Sequence, residues 1–200
     1  MPSYLKVSAA LGALLVSSAV AVQAQEKLTL ERVFASPDLA GPQPRALTLS
    51  PDGTLVTLLK PRAAEKERLD LWAIDTATGA ERMLVDSKKT GSGAALSEAE
   101  KMQRERDRSV AGSTGITSYD WSSDGKTILV PVDGDLYLAA LDGQVTRLTD
   151  TPDGELNGVV SPKGRFVSFV RGGNLFVQPI GGAERQITQG ASDTVSWGVA

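Results

Sequence analysis

The chain has 200 residues, with 21 lysines and arginines against 24 aspartates and glutamates, a formal net charge of −3. Charges of both signs are scattered along it, which argues against the basic footprint of a nucleic-acid or anionic-lipid binder. It contains neither cysteine nor histidine, so its residues can build no disulfide framework, no thiolate or zinc-thiolate site and no imidazole-activated nucleophile.

At the N-terminus, Met1 to Lys6 is a short cationic start, Val7 to Val22 an uncharged run rich in Ala, Leu, Val and Ser, and Val22-Gln23-Ala24 a small-x-small cleavage pattern. That order of parts predicts a signal peptide over residues 1–24, because the apolar run is short of the about 20 residues a bilayer core requires. Residues 25–200 are then long enough for one domain with a substantial core.

One phrase occurs three times along that domain. The turns Ser50-Pro51-Asp52-Gly53, Ser122-Ser123-Asp124-Gly125 and Ser161-Pro162-Lys163-Gly164 each join two short strands. Glycine accepts the positive φ that ends such a reversal, and proline presets the φ that starts it. The strands before the turns are Arg45–Leu49, Ile116–Trp121 and Leu156–Val160, and those after them Leu55–Leu59, Thr127–Val130 and Phe166–Val170. A third strand opens with Asp or Asn, then Leu, then an aromatic residue, at Asp70-Leu71-Trp72, Asp135-Leu136-Tyr137 and Asn174-Leu175-Phe176. A fourth closes each unit at Glu81–Val85, Val145–Thr149 and Glu184–Thr188.

The second and third turns are about 39 residues apart, close to one four-stranded propeller blade. The first and second are about 33 residues further apart than that, and the excess predicts an insertion over 86–115 in the first unit. The expected fold is therefore all-β: a partial β-propeller of about three four-stranded blades with one helical insertion in the first. A β-sandwich of the same hairpins is the competing architecture, but it does not require a phrase that recurs in every fourth strand.

Within the insertion, Asp86 to Ala95 reads as a solvated linker and Ser97-Glu98-Ala99-Glu100 as a capping box that starts a helix running through Arg108. Arg104 and Arg108 fall one turn apart on one face, and Arg106 nearly opposite. Two guanidinium forks on one face suit a carbonyl or carboxylate ligand, while the same charges also suit an ordinary solvated helix.

The leader, Leu39-Ala40-Gly41-Pro42, the Ser-Pro-Asp-Gly turns, the Arg104-Glu105-Arg106-Asp107-Arg108 run and Gly115-Ile-Thr-Ser-Tyr-Asp-Trp121 together resemble the N-terminal propeller of bacterial dipeptidyl peptidase IV. The resemblance implies a propeller that caps a C-terminal α/β-hydrolase domain, with peptide substrate entering between the two. It implies an arginine of the helical insertion, here Arg104 or Arg108, on the substrate's backbone carbonyl. In that family two adjacent glutamates hold the substrate's N-terminus shortly after a run like Val195-Ser-Trp-Gly-Val-Ala200, and this sequence carries no such pair. No Gly-x-Ser-x-Gly elbow is present either, so no catalytic residue, metal or cofactor is expected in this chain.

Two functions follow as expectations. One is the front part of a periplasmic or secreted serine exopeptidase that releases X-Pro or X-Ala dipeptides, with homodimerisation of the full-length protein. The other is a non-enzymatic periplasmic binding propeller. On either, the chain by itself should release no leaving group from a chromogenic Gly-Pro or Ala-Pro amide. Turnover by homogeneous protein that a serine-directed inhibitor blocks would show that a nucleophile has been overlooked.

Overall fold

The computed structural model describes residues 28–198 apart from 36–38, 40, 42, 94 and 108–111. The expected signal peptide lies outside the described residues. The chain divides into two units, residues 1–36 and 37–200. The first contains a short helix, α1 (Leu30–Phe34), whose N-cap Thr29 accepts from the Arg32 N–H and which buries no side chain.

The second unit is built of three antiparallel meanders. The first blade consists of β1 (Arg45–Leu49), β2 (Leu55–Arg62), β3 (Glu65–Asp75) and β4 (Glu81–Val85), hydrogen-bonded in sequence order. After it come α2 (Ser87–Thr90), α3 (Glu98–Arg106) and β5 (Thr114–Gly115). The second blade is β6 (Asp120–Trp121), β7 (Thr127–Val132), β8 (Asp135–Ala140) and β9 (Val145–Arg147). The third is β10 (Leu156–Val160), β11 (Phe166–Arg171), β12 (Asn174–Pro179) and β13 (Arg185–Gln186). The chain thus forms three four-stranded blades of a β-propeller with a helical insertion after the first. One strand was not anticipated: β5 joins the first sheet parallel to β3, pairing Thr114 with Arg68 and Gly115 with Leu69.

The repeated turn closes the same way each time. The N–H of Gly53, Gly125 and Gly164 donates to the carbonyl of Ser50, Ser122 and Ser161, and each serine hydroxyl accepts from the backbone N–H of Leu55, Thr127 or Phe166 at the start of the next strand. Side chain and backbone of one serine therefore fix both ends of the hairpin tip.

The fourth strands of the second and third blades are shorter than the sequence suggests because a hydroxyl takes over the ladder. Leu136 N–H donates to Thr149 Oγ1 at 2.9 Å and Leu175 N–H to Thr188 Oγ1 at 2.8 Å. The returning N–H groups of Leu148 and Ile187 still bond the carbonyls of Leu136 and Leu175. The first hairpin is longer than expected, since β2 and β3 stay paired out to Arg62 and Glu65 across a register shift after Pro61.

Side-chain alternation in the middle blade decides how the blades pack. Ile128, Val130 and Val132 of β7, with Tyr137 and Ala139 of β8, join Leu59, Leu71, Ala73 and Val85 of the first blade in one core. The intervening Leu129, Leu136 and Leu138 point the other way, into a core with Val160, Val167 and Phe169 of the third. A strand buried on both faces reads as an unbroken apolar run, which is what Thr127–Val132 and Asp135–Ala140 show. The flanking blades keep apolar side chains in solvent, among them Leu47 and Leu49 of β1 and Val159 and Phe166 of the third blade.

The segment after β4 is not the solvated linker that its composition suggests. Asp86 caps α2 by accepting from the N–H groups of Lys88 and Lys89, and Ser87 is buried. The Ser87 N–H and hydroxyl both donate to Asp70 Oδ1 at 2.8 Å. Gly91 follows against Asp133, where a Cβ would stand 2.2 Å from Oδ2. The segment is docked because the buried Asp70 carboxylate needs those donors.

Truncating Leu136, fully buried between the second and third blades, should cost about 2–5 kcal/mol of unfolding free energy by denaturant titration. The same shortening at Val159, about half exposed, should cost under about 1 kcal/mol. Equal losses would mean that the two-sided packing of the middle blade does not govern stability.

Candidate functional site

Helix α3 starts as its sequence predicts. Ser97 Oγ accepts from the Glu100 N–H at 3.3 Å while Glu100 Oε2 accepts from the Ser97 N–H at 3.1 Å, a reciprocal capping box. The same Glu100 is buried and fixes the helix on the blades, because it packs against Gly154, where a Cβ would approach Oε2 to 2.4 Å. One turn on, Gln103 Nε2 donates to Asn157 Oδ1 at 3.1 Å.

Asn157 is the second anchor. It sits at the bulge of β10, between the Leu156–Val170 and Val159–Ser168 pairs, with φ of 52°. Its Nδ2 donates to the Gly198 carbonyl at 2.7 Å, so one side chain ties α3 to the segment that follows the third blade. The first blade has the same bulge at Ala46, φ 51°, whose carbonyl accepts from the Tyr119 hydroxyl. Asparagine adopts this left-handed conformation more readily than most residues.

Between α3 and the first strands of the second and third blades lies a cleft of about 330 Å³. Arg104 lines it, together with Tyr119, Asp120, Glu155 and Asn157. Among the described residues its guanidinium reaches two backbone carbonyls, those of Ser113 and Gly115, each at 3.5 Å. It makes no ion pair among the described residues. Burial pushes its pKa below the ordinary arginine value; Glu100 and Asp133 act in the opposite direction, and Arg68 adds to the lowering. This is a half-buried cation with unused donors facing a cleft, suited to a carbonyl or carboxylate.

Of the two arginines singled out from the sequence, the structure brings Arg104 to the cleft, and Arg108 lies outside the described residues. The helix ends at Arg106, short of the run through Arg108 that the sequence suggests, because its C-cap Asp107 leaves helical geometry with φ −82° and ψ 88°. Glu155, which the sequence reading did not single out, is already occupied. Its Oε1 accepts from Arg171 Nε at 2.8 Å and Thr151 Oγ1 at 2.6 Å, and its Oε2 from Thr149 Oγ1 at 2.6 Å. Burial nonetheless holds its carboxyl above the usual range. Asp120 is exposed on the cleft wall. The only sequence signal for Asn157 was an asparagine beside a glycine in a strand, which marks a bulge but not a cleft. Among the described residues no group of three or more acidic side chains is placed to hold a metal ion.

Three consecutive antiparallel meanders, packed face to face with a cleft at their first strands, define a β-propeller-type protein. Residues 157–200 match the family described as the dipeptidyl peptidase IV (DPP IV) N-terminal region, in agreement with the resemblance carried by the helix and turn motifs. Among solved structures the chain is similar to Porphyromonas gingivalis dipeptidyl peptidase 4, with 22% identity and a TM-score of 0.47 over 72% of this chain and 19% of that one. It is also similar to a protein described as TolB from Agrobacterium tumefaciens, with 19% identity and a TM-score of 0.46 over 72% of this chain and 48% of that one. The chain thus spans about half the length of the TolB structure and about a fifth of the peptidase.

Replacing Asn157 by Gly keeps the positive φ accessible and removes both side-chain hydrogen bonds. The loss should be about 1–3 kcal/mol of local stability, seen as faster amide exchange over Glu98–Arg106 with β7 and β8 unchanged. Unaltered exchange in the helix would show that Glu100 alone docks it.

Proposed function

We propose that this chain is the N-terminal propeller portion of a periplasmic or secreted serine exopeptidase that removes X-Pro or X-Ala dipeptides from peptide N-termini. On this reading the blades and the insertion shape substrate access and binding, and the chemistry belongs to an α/β-hydrolase domain outside this sequence. The observation that supports it most is Arg104: a half-buried guanidinium on the cleft wall that, among the described residues, makes no ion pair and two long contacts to backbone carbonyls. A peptide carbonyl placed there satisfies donors that the fold leaves underused. The family resemblance gives this role to Arg104 or Arg108, and the cleft supports Arg104; on this reading the leader over 1–24 directs export.

The test uses the complete polypeptide that contains these residues. Arg104→Ala should lower kcat/KM for a dipeptide amide by about 10- to 150-fold, the equivalent of losing a charge-assisted hydrogen bond of about 1.5–3 kcal/mol. Thermal stability should change little, since Arg104 has no strong internal partner to leave behind. Arg106→Ala should be nearly silent. Sensitivity at Arg106 with a silent Arg104 would place the binding face on the other side of the helix and defeat the assignment.

A further inference from the structure

A second hollow, of about 650 Å³, lies away from Arg104, between β4, the segment around α2 and the hairpin of β8 and β9. Its apolar wall includes Met83, Leu84 and Val145, and its polar lining includes Lys89, Tyr137 and Arg147. Asp86 is there too, but its carboxylate is taken by Arg62 and by the N–H groups of Lys88 and Lys89.

Tyr137 is the unusual member. It is 4% exposed and packed in the core between the first two blades, yet its hydroxyl makes no hydrogen bond among the described residues. The burial is that of the ring; the hydroxyl is not itself enclosed, and Tyr137 lines the hollow, so the O–H is available to a ligand there. Burial raises its pKa, so it stays a neutral donor near neutral pH. Arg147 stands directly across the strand pair from it. That arginine uses Nε on the Thr149 carbonyl and Nη2 on Asp135 and Asp150, which leaves Nη1 without a protein partner among the described residues. Lys89 is exposed at the rim, and its ammonium makes no ion pair among the described residues.

We propose that this hollow is a binding site for a small carboxylate on an apolar stem, the anion accepting from the Tyr137 hydroxyl, Arg147 Nη1 and Lys89 Nζ while the stem lies on Met83, Leu84 and Val145. Three donors of different geometry around one hollow suit a planar two-oxygen acceptor. The apolar wall gives the stem a reason to leave water. The site is independent of the cleft at Arg104, sharing no lining residue with it.

The experiment titrates the full chain with hexanoate, hexanol and inorganic phosphate, following the Met83 methyl resonance. Hexanoate should shift it saturably, with hexanol and phosphate each at least about tenfold weaker. Tyr137→Phe should weaken hexanoate about three- to tenfold, the loss of one hydrogen bond. Its thermal midpoint should be unchanged or higher, because no protein partner is abandoned. Lys89→Ala, at an exposed position, should weaken binding about threefold without risk to folding. Hexanol binding as tightly as hexanoate would reduce the site to an apolar hollow, and phosphate binding as tightly would reduce it to a counter-ion site. No saturation, an unaffected Tyr137→Phe or Lys89→Ala variant, or a clearly lowered midpoint in Tyr137→Phe would each overturn the proposal.

Discussion

The structure depends on the burial of the second blade from both sides. Strands β7 and β8 send successive side chains alternately into two separate cores, so both faces of these two strands are largely buried. Each fully buried aliphatic side chain contributes about 1.5–3 kcal/mol, and the middle blade concentrates such side chains. Close approach is part of the arrangement. At Gly158 of β10 a Cβ would come within 3.0 Å of both Leu129 and Leu136, so the third blade packs on the second with its backbone as well as its side chains. The first and third blades lack this double cover, and their outward residues retain exposed Leu, Val and Phe.

A polar network anchors the insertion to that frame. Asp70 is fully buried and accepts from Arg62 Nε at 2.7 Å and Arg62 Nη2 at 3.0 Å in addition to the two donors of Ser87. A charge taken out of water needs such complete pairing, since an uncompensated buried ion costs several kcal/mol. The donors come from β2 and from the segment after β4, so satisfying one carboxylate fixes where the chain leaves the first blade. Arg68 extends the network to Ser87. Close packing then completes the path: Gly115 has φ of 74° and lies where a Cβ would meet the Leu69 carbonyl at 2.6 Å, so β5 returns against β3 only with glycine there. Helix α3 is thereby held between two fixed ends, over the first strands of the later blades.

Electrostatic satisfaction separates structural charges from those available to a ligand. Arg171 is stacked near the Phe169 and Phe176 rings and paired with Glu155 and Glu184, so its donors are consumed by the fold. Arg62 is consumed in the same way by Asp70 and Asp86. Arg104 and Tyr137 differ in kind. Each is substantially buried, each has its ionisation shifted mainly by desolvation, and among the described residues neither has a strong internal partner. Each keeps hydrogen-bonding capacity beside a hollow that it lines, which is why the two hollows merit attention as binding sites.

The sequence by itself determined the units that are local. A serine two residues before an aspartate and three before a glycine closes a hairpin with its own hydroxyl and carbonyl, and a serine three residues before a glutamate starts a helix with a reciprocal pair of bonds. Both involve atoms only a few residues apart, so the turns at Ser50 and Ser122 and the start of α3 at Ser97 were readable one phrase at a time. What only the tertiary structure decided were relations between residues remote in the chain. Asn157 and Gln103 are separated by 54 positions and meet only because a bulge turns one strand toward the helix. For Arg104 the sequence leaves a ligand-binding face and a solvated one equally open, until the second and third blades rise beside it and remove part of its water. Sequence periodicity specifies which face a side chain takes, but the depth of a cleft and the partners left unmade within it arise only when separate sheets are packed together.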